Sequence, residues 1–143
     1  MRAPLLLFIV LLPATTLVQA DDPTDGTQRL SVMQLMQSVI VPSTNILWSI
    51  EDPQTDQDWK PFEDAAIAVI AAGSLAREGG AGPMDAEWAS DSRWTAWADV
   101  MIDAAEDALE AARSRELDEF IEATNVMYPP CEECHIEFNP GLQ

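Results

Sequence analysis

Apolar residues recur along this chain at the period of an α-helix in four separate stretches. The first stretch runs from about Thr27 to Ile50, and its spacing predicts one shared apolar face made of Leu30, Met33, Met36, Ile40, Leu47 and Ile50. Pro42 lies inside this stretch and is expected to kink the helix, because proline lacks a backbone donor and crowds the preceding turn. Asp52–Pro53 then ends the helix.

The second and third stretches have recognisable ends. The second is expected to begin near Asp58, a helix-capping residue, with Pro61 in its first turn, and to end at Gly79–Gly80. A loop containing glycine and proline leads to the third stretch, which is capped near Ser90 or Asp91. Its apolar residues recur three or four positions apart, which indicates core packing by Trp94, Trp97, Met101, Ala104 and Ala108.

The fourth stretch is expected to begin at a Ser114 cap after a very short connection, and its apolar residues are Leu117, Phe120 and Ile121. Pro129–Pro130 interrupts the pattern, so the segment from Cys131 onward is expected to start as a new helix. No stretch alternates long enough to predict a strand. Four amphipathic helices with short connections predict an all-α fold, an antiparallel up-down-up-down four-helix bundle.

Residues 1–20 are typical of a secretory signal peptide. Arg2 supplies a positive charge, Leu5–Leu12 forms an apolar run too short to span a bilayer, and Val18–Ala20 provides a small-residue cleavage pattern. We therefore expect a leader over 1–20 and a single exported domain over 21–143, located in the periplasm. No second stretch is apolar enough to cross a membrane, so no insertion is expected after cleavage.

The charge of the chain is strongly negative. It has 25 Asp and Glu residues against 7 Lys and Arg residues, a net charge of −18. Nucleic-acid binding needs a basic face, so the charge excludes that class of function. An acidic surface instead steers a partner whose docking face is basic.

The residues Cys131, Cys134 and His135 stand in the sequence CEECH, which contains both cysteines and the only histidine of the chain. On a helix, positions i, i+3 and i+4 share one face, so two thiols and an imidazole point at the same object. C-x-x-C-H is the attachment signature of haem c: each thiol adds across a porphyrin vinyl group, and the imidazole binds the iron. The motif predicts one covalent haem, with His135 as a metal ligand.

Three other interpretations of the motif fit its residues less well than haem attachment. A structural zinc site needs four Cys or His ligands, and the cluster offers three. A disulfide between Cys131 and Cys134 would close only a very short loop. A thioredoxin-like dithiol belongs at a helix N-terminus in a βαβ unit, and this chain shows no strand pattern.

The position of the motif near the C-terminus, after four helical stretches, resembles the class II c-type cytochromes, the cytochrome c′ and cytochrome c556 family, which are four-helix bundles. The segment 29–34 resembles the family's first helix, with Arg29 four positions before Met33, and Val41–Pro42 is similar to a pair in some members. One departure is Asn139, where relatives often carry Lys or Arg near the haem propionates.

The resemblance implies roles for five residues. Cys131 and Cys134 would bind haem covalently, and His135 would be the proximal ligand of the iron. Met33 would face the distal side of the iron, with Met36 as the competing candidate. Arg29 would approach a haem propionate, because a buried carboxylate needs a cation and arginine binds it with two donors.

Two functions remain open on this basis. The first is a periplasmic electron-transfer cytochrome whose iron has His135 and Met33 as axial ligands, since a thioether stabilises reduced iron. The alternative is a five-coordinate haem protein, like the cytochromes c′, that binds NO or CO. A dithiol oxidoreductase without haem is a third hypothesis. A turnover enzyme is not expected, because the chain lacks a second histidine base and a glycine-rich phosphate loop. Relatives often dimerise through their first two helices, which implies a homodimer as one option.

Overall fold

A computed structural model describes residues 30–139, and this part of the chain is helical, without a strand. The all-α fold class is therefore confirmed. The elements are α1 (Val32–Leu35), a π-helical turn (Met36–Ile40), α2 (Val41–Leu47), α3 (Asp56–Arg77), α4 (Asp85–Ala89), α5 (Ser92–Ser114) and α6 (Leu117–Phe138). The expected leader over 1–20 and the candidate Arg29 lie outside the described residues.

Helices α3 and α5 begin where short polar side chains satisfy their first backbone donors. The Thr55 hydroxyl accepts a bond from the Asp58 N–H at 3.2 Å, and the Asp58 carboxylate accepts one from the Thr55 N–H at 2.9 Å. Helix α3 thus starts before Asp58. Thr55 is the N-terminal cap, and the Asp58 side chain forms the second bond of the capping box. Asp91 caps α5 as predicted, and its carboxylate accepts the Arg93 N–H at 2.9 Å.

The connection between α5 and α6 differs from the predicted one. Ser114 is the last residue of α5 and does not cap α6. Arg115 adopts a left-handed conformation with φ of 64°. The N–H groups of Arg115 and Glu116 turn back to the carbonyls of Ala112 and Ala111, at 3.3 and 3.0 Å. These two bonds close the end of α5 from its own backbone, so no serine cap is needed there.

Helix α6 runs unbroken through Pro129 and Pro130, so the prediction of a new helix after the prolines is wrong. The missing proline donors leave the carbonyls of Asn125 and Val126 without helical partners. Both of these residues are exposed, so water satisfies their carbonyls at little cost. The lost bonds are therefore tolerated at exposed residues, although Pro130 itself is buried, and the helical register passes through both prolines.

The first helical stretch contains a π-helical turn at Met36–Ile40, directly before Pro42. The Val41 N–H bonds the Met36 carbonyl, five residues back. Such a turn holds one residue more than an α-turn. Relative to an uninterrupted α-helix, this extra residue rotates the residues before the turn by about 100° around the helix axis. Met33 is consequently 42% exposed, and Leu30, which precedes the helix, is 49% exposed, so their predicted place on the apolar face is wrong. The face is completed by two other side chains, Val32 and Leu35.

Asp85 fastens the start of this stretch to the loop that follows α3. It is 3% exposed, and one carboxylate oxygen accepts the N–H groups of Val32 and Gly82, each at 2.8 Å. Bonds from backbone N–H groups to a buried carboxylate are charge-assisted and strong. Ser31 caps α1, and Asp85 supplies a further acceptor for its first N–H group from another part of the chain.

The core is built from small residues on α3 and α5 and large residues on α6. The α3–α5 contact is lined by alanines, and a Cβ on Gly73 would lie 2.9 Å from the Met101 Cε. Phe120 and Met127 of α6 are fully buried. Phe120 meets the rings of Trp59 and Phe62 edge to face, at 5.8 and 5.6 Å between centroids. Helix α5 thus packs against both α3 and α6.

No helix within residues 30–139 has the combination of length and apolar composition that a membrane crossing requires.

Replacing Phe120 with Ala is expected to lower the free energy of unfolding by about 3–5 kcal/mol, because it leaves a cavity at the centre of the aromatic contact. The neighbouring Ile121 is 39% exposed, so Ile121→Ala should change it by about 1 kcal/mol or less. Urea unfolding followed by tryptophan fluorescence measures both. Equal losses for the two variants would contradict the assigned core.

Candidate functional site

A cavity of about 400 Å³ lies between the first helical stretch, α5 and the C-terminal part of α6. The first stretch contributes Met36, Ile40, Val41, Thr44, Asn45 and Trp48 to its lining. From α3 and α5 come Ala76, Trp94, Trp97, Ala98 and Met101. Residues 128–139 contribute Tyr128, Pro130, Cys131, Glu132, Cys134, His135, Ile136 and Asn139. The lining is mostly apolar and aromatic, which is typical of a pocket for a cofactor or small molecule.

The structure brings Cys131, Cys134 and His135 together on one wall of this cavity. All three lie on α6, at the i, i+3 and i+4 spacing that places side chains on one helical face. Each is half-buried, and both cysteines are free thiols. The three reactive side chains of the motif therefore line the same cavity.

The two thiols lie in surroundings that keep them protonated. Burial, with a smaller contribution from Cys131, raises the pKa of the Cys134 thiol to about 12, and burial also raises the pKa of Cys131. The Cys131 Sγ donates to the Met127 carbonyl at 3.3 Å. Both residues also lie far from the N-terminus of α6, where the helix dipole would stabilise a thiolate. These conditions are opposite to those of a redox-active dithiol.

Methionines reach the cavity from two sides. Met36 lines it from the π-helical turn, and Met101 lines it from α5. Met33, the distal candidate from the sequence, is not among the lining residues, because the π-helical turn rotates α1 away from the cavity. The structure thus brings Met36, and not Met33, together with the motif.

Met101 is a lining residue that sequence reasoning assigned only to the core. Its side chain is 6% exposed and contacts both the core and the cavity. The signal was present in the spacing, because Trp94, Trp97 and Met101 share one helical face and all three line the cavity.

Two tryptophans connect the cavity walls by hydrogen bonds to neighbouring helices. The Trp48 Nε1–H donates to the Thr124 carbonyl at 3.0 Å, which joins α2 to α6. The Trp94 Nε1–H donates to the Ala76 carbonyl at 3.1 Å, which joins α5 to α3. With their polar atoms bonded, these residues present apolar rings to the cavity.

A basic side chain lies beside the C-terminal end of α6. Arg93 forms ion pairs with Asp91 and Glu137, and its guanidinium lies 5.8 Å from the centre of the Phe138 ring. The hydrogen bonds from Arg93 lower the pKa of Asp91 to about 2. Sequence reasoning missed this residue, since it considered only Arg29 and position 139 as sources of positive charge near the motif.

Within residues 30–139, no group of three or more His, Cys, Asp or Glu side chains is arranged to hold a metal ion. No family model, curated protein or solved structure matches the chain.

In protein purified with both thiols free, iodoacetamide is expected to alkylate native Cys134 roughly 50-fold more slowly at pH 8 than the same residue in urea. The raised pKa reduces the thiolate fraction, and the higher nucleophilicity of that thiolate offsets only part of the loss. The native rate should keep rising with pH until about pH 12, whereas the rate in urea levels off above pH 9. Peptide mass spectrometry measures both rates, and a native plateau near pH 9 would contradict the burial argument.

Proposed function

We propose that this chain is a c-type cytochrome that binds one haem covalently in the cavity. Cys131 and Cys134 would bond the two vinyl groups through thioethers, and His135 would be an axial ligand of the iron. The observation that carries the proposal is that these three side chains, in the C-x-x-C-H order, line one apolar cavity. When bound, haem supplies a one-electron couple at its iron.

The cavity residues fit this group. The volume of about 400 Å³ lies within the range of about 300–1,000 Å³ that is common for ligand pockets. The lining is mostly aromatic and aliphatic and comes from several helices, which suits a flat apolar ring. The porphyrin supplies four nitrogen ligands of its own, so few protein ligands are needed; the imidazole of His135 and one thioether would hold the iron.

The competing interpretations of the motif receive less support. A dithiol oxidoreductase needs a lowered thiol pKa near a helix N-terminus, whereas Cys131 and Cys134 have raised values near the C-terminus of α6. A zinc site needs a fourth ligand that the described residues do not place there. Covalent attachment to haem uses both thiols and the imidazole together.

We infer Met36 as the distal ligand in place of Met33, because Met36 lines the cavity and Met33 does not. A thioether ligand favours reduced iron and would give a six-coordinate electron-transfer site. Met101 also lines the cavity, but its Cε packs against Gly73 in the core. The apolar residues beside Met36 support the alternative function as well. If Met36 does not bind, the apolar lining that includes Ile40 and Trp97 would leave space for NO or CO.

The arrangement of the bundle belongs to the same proposal. The two-residue link 115–116 favours an antiparallel α5–α6 pair, and the short connections elsewhere favour an up-down-up-down order. We further propose a periplasmic location after removal of residues 1–20, and a redox partner with a basic docking face.

The chain, exported in cells that attach haem c, is expected to carry one covalent haem. Intact-mass spectrometry should show the mass of one haem added, and the band should retain peroxidase stain on a denaturing gel. Cys134→Ala should leave a single thioether, which an altered pyridine haemochrome spectrum detects. The matched variant Ser114→Ala, at the far end of α5, should retain both thioethers. A wild-type chain without covalent haem under these conditions would refute the proposal.

Met36→Ala is expected to convert a low-spin ferric spectrum to a high-spin one and to let the ferrous protein bind CO, because it removes the proposed sixth ligand. Met33→Ala is the control and should leave the spin state unchanged. Optical and EPR spectra measure both. A spectral change in Met33→Ala alone would contradict the assignment of Met36, and a wild-type protein that is already high-spin would instead support the gas-binding function.

A further inference from the structure

The sequence of the first helical stretch is compatible with two helical registers. In the observed register, the extra residue of the π-helical turn buries Leu35 and leaves Met33 exposed. A regular α-helix would rotate α1 by about 100°, which exposes Leu35 and brings Met33 to the apolar face. Leucine and methionine have similar volumes and apolar areas, so the apolar burial in the two registers is nearly equal. Polar bonds must therefore decide between them.

The bonds that distinguish the two registers come from the connection between α3 and α4. Asp85 is 3% exposed, and its Oδ2 accepts the Val32 N–H at 2.8 Å. The Ala81 N–H donates to the Leu30 carbonyl at 3.2 Å. Gly80 permits this close approach, because a Cβ there would overlap the Leu30 carbonyl oxygen. These bonds attach the start of α1 to a separate part of the chain, so they fit one rotation of α1 only.

The other polar bonds at the start of α1 are local and do not select a register. The Ser31 hydroxyl accepts the Gln34 N–H at 3.1 Å, and the Gln34 side chain accepts the Ser31 N–H at 2.9 Å. This capping box turns together with the helix. The Asp85 carboxylate, in contrast, stays with its own loop. Because burial has removed most of its solvation, loss of the Val32 donor is costly.

The bond to Asp85 acts on the cavity through one turn of backbone. The Val32 carbonyl accepts the Met36 N–H, and the Met36 carbonyl accepts the Val41 N–H across the π-helical turn. We propose that Asp85 is a positioning residue that fixes this register, so that Met36 lines the cavity and Met33 stays outside it. Without the Asp85 bond, the π-helical turn relaxes to a regular α-helix, and Met33 turns toward the cavity.

Methionine oxidation by dilute hydrogen peroxide, in the full chain purified without haem, reports the register, since peroxide must reach the sulfur. Asp85→Ala is expected to slow the oxidation of Met33 about five-fold, because its exposed fraction falls from 42% toward the 6% of Met101. A helix that merely frays would oxidise Met33 as fast or faster, so the two explanations predict opposite changes. Peptide mass spectrometry measures each methionine, and the fully buried Met127 reports unfolding.

Three further variants separate the register from a general loss of stability. Asp85→Asn retains an acceptor oxygen in a side chain of the same size and should keep the wild-type rate at Met33. Asp58→Ala removes a carboxylate that accepts a backbone N–H, about 27 Å along α3 from the cavity residue Ala76, and should also keep that rate. Val32→Pro removes the donor at the first helical position, where proline is tolerated, and should act like Asp85→Ala.

An unchanged or faster oxidation of Met33 in both Asp85→Ala and Val32→Pro would overturn the inference. Rapid oxidation of Met127 in both variants would also overturn it, because the bond would then support the whole fold and not one register. The consequence at the iron rests on the proposed function: adding Asp85→Ala to Met36→Ala should restore a low-spin spectrum through Met33. A chain without covalent haem would refute that function and leave the oxidation result unaffected.

Discussion

The cavity depends on the unbroken register of α6. Phe120, Met127 and Cys134 lie seven residues apart, so one face of the helix packs the core and then carries the motif. A break at Pro129–Pro130 would separate the orientation of the thiols from that of the core residues. The helix continues through the prolines because water satisfies the two carbonyls that lose their helical partners. The packing of Phe120 and Met127 therefore also fixes the direction in which the cysteines and His135 point. The core and the site are thus parts of a single helical face.

Much of this fold could be predicted from the sequence, because helix periods and caps are local. The cap at Asp91 and the end of α3 near Gly79 follow from side chains within a few residues. The misplaced features have other causes. A period of 3.6 residues cannot include the extra residue of the π-helical turn, so Met33 was assigned to the wrong face. The end of α5 is closed by backbone bonds that leave no side-chain signal at Ser114.

The candidate site likewise contains residues that the sequence predicts and residues that only tertiary packing brings together. The motif residues are close in sequence, so their shared face follows from helical spacing alone. Arg93 is separated from Glu137 by 44 residues, and only the packing of α5 against α6 brings them together. Met101 has a dual environment, since one side of it meets Gly73 and the other meets the cavity. Sequence periodicity identifies such a residue as buried and cannot distinguish core from cavity wall.

Two opposed electrostatic environments lie close together in this molecule. The surface carries most of the acidic excess, and negative charge favours the oxidised state of a nearby metal centre. Solvent and salt screen exposed charges within about 10 Å at 0.1 M, whereas groups inside the apolar cavity are screened much less. A group that lines the cavity, such as the Met36 thioether, would therefore influence the proposed iron site more than many distant carboxylates. The acidic surface would act mainly on the approach of a partner, and the cavity residues would set the chemistry.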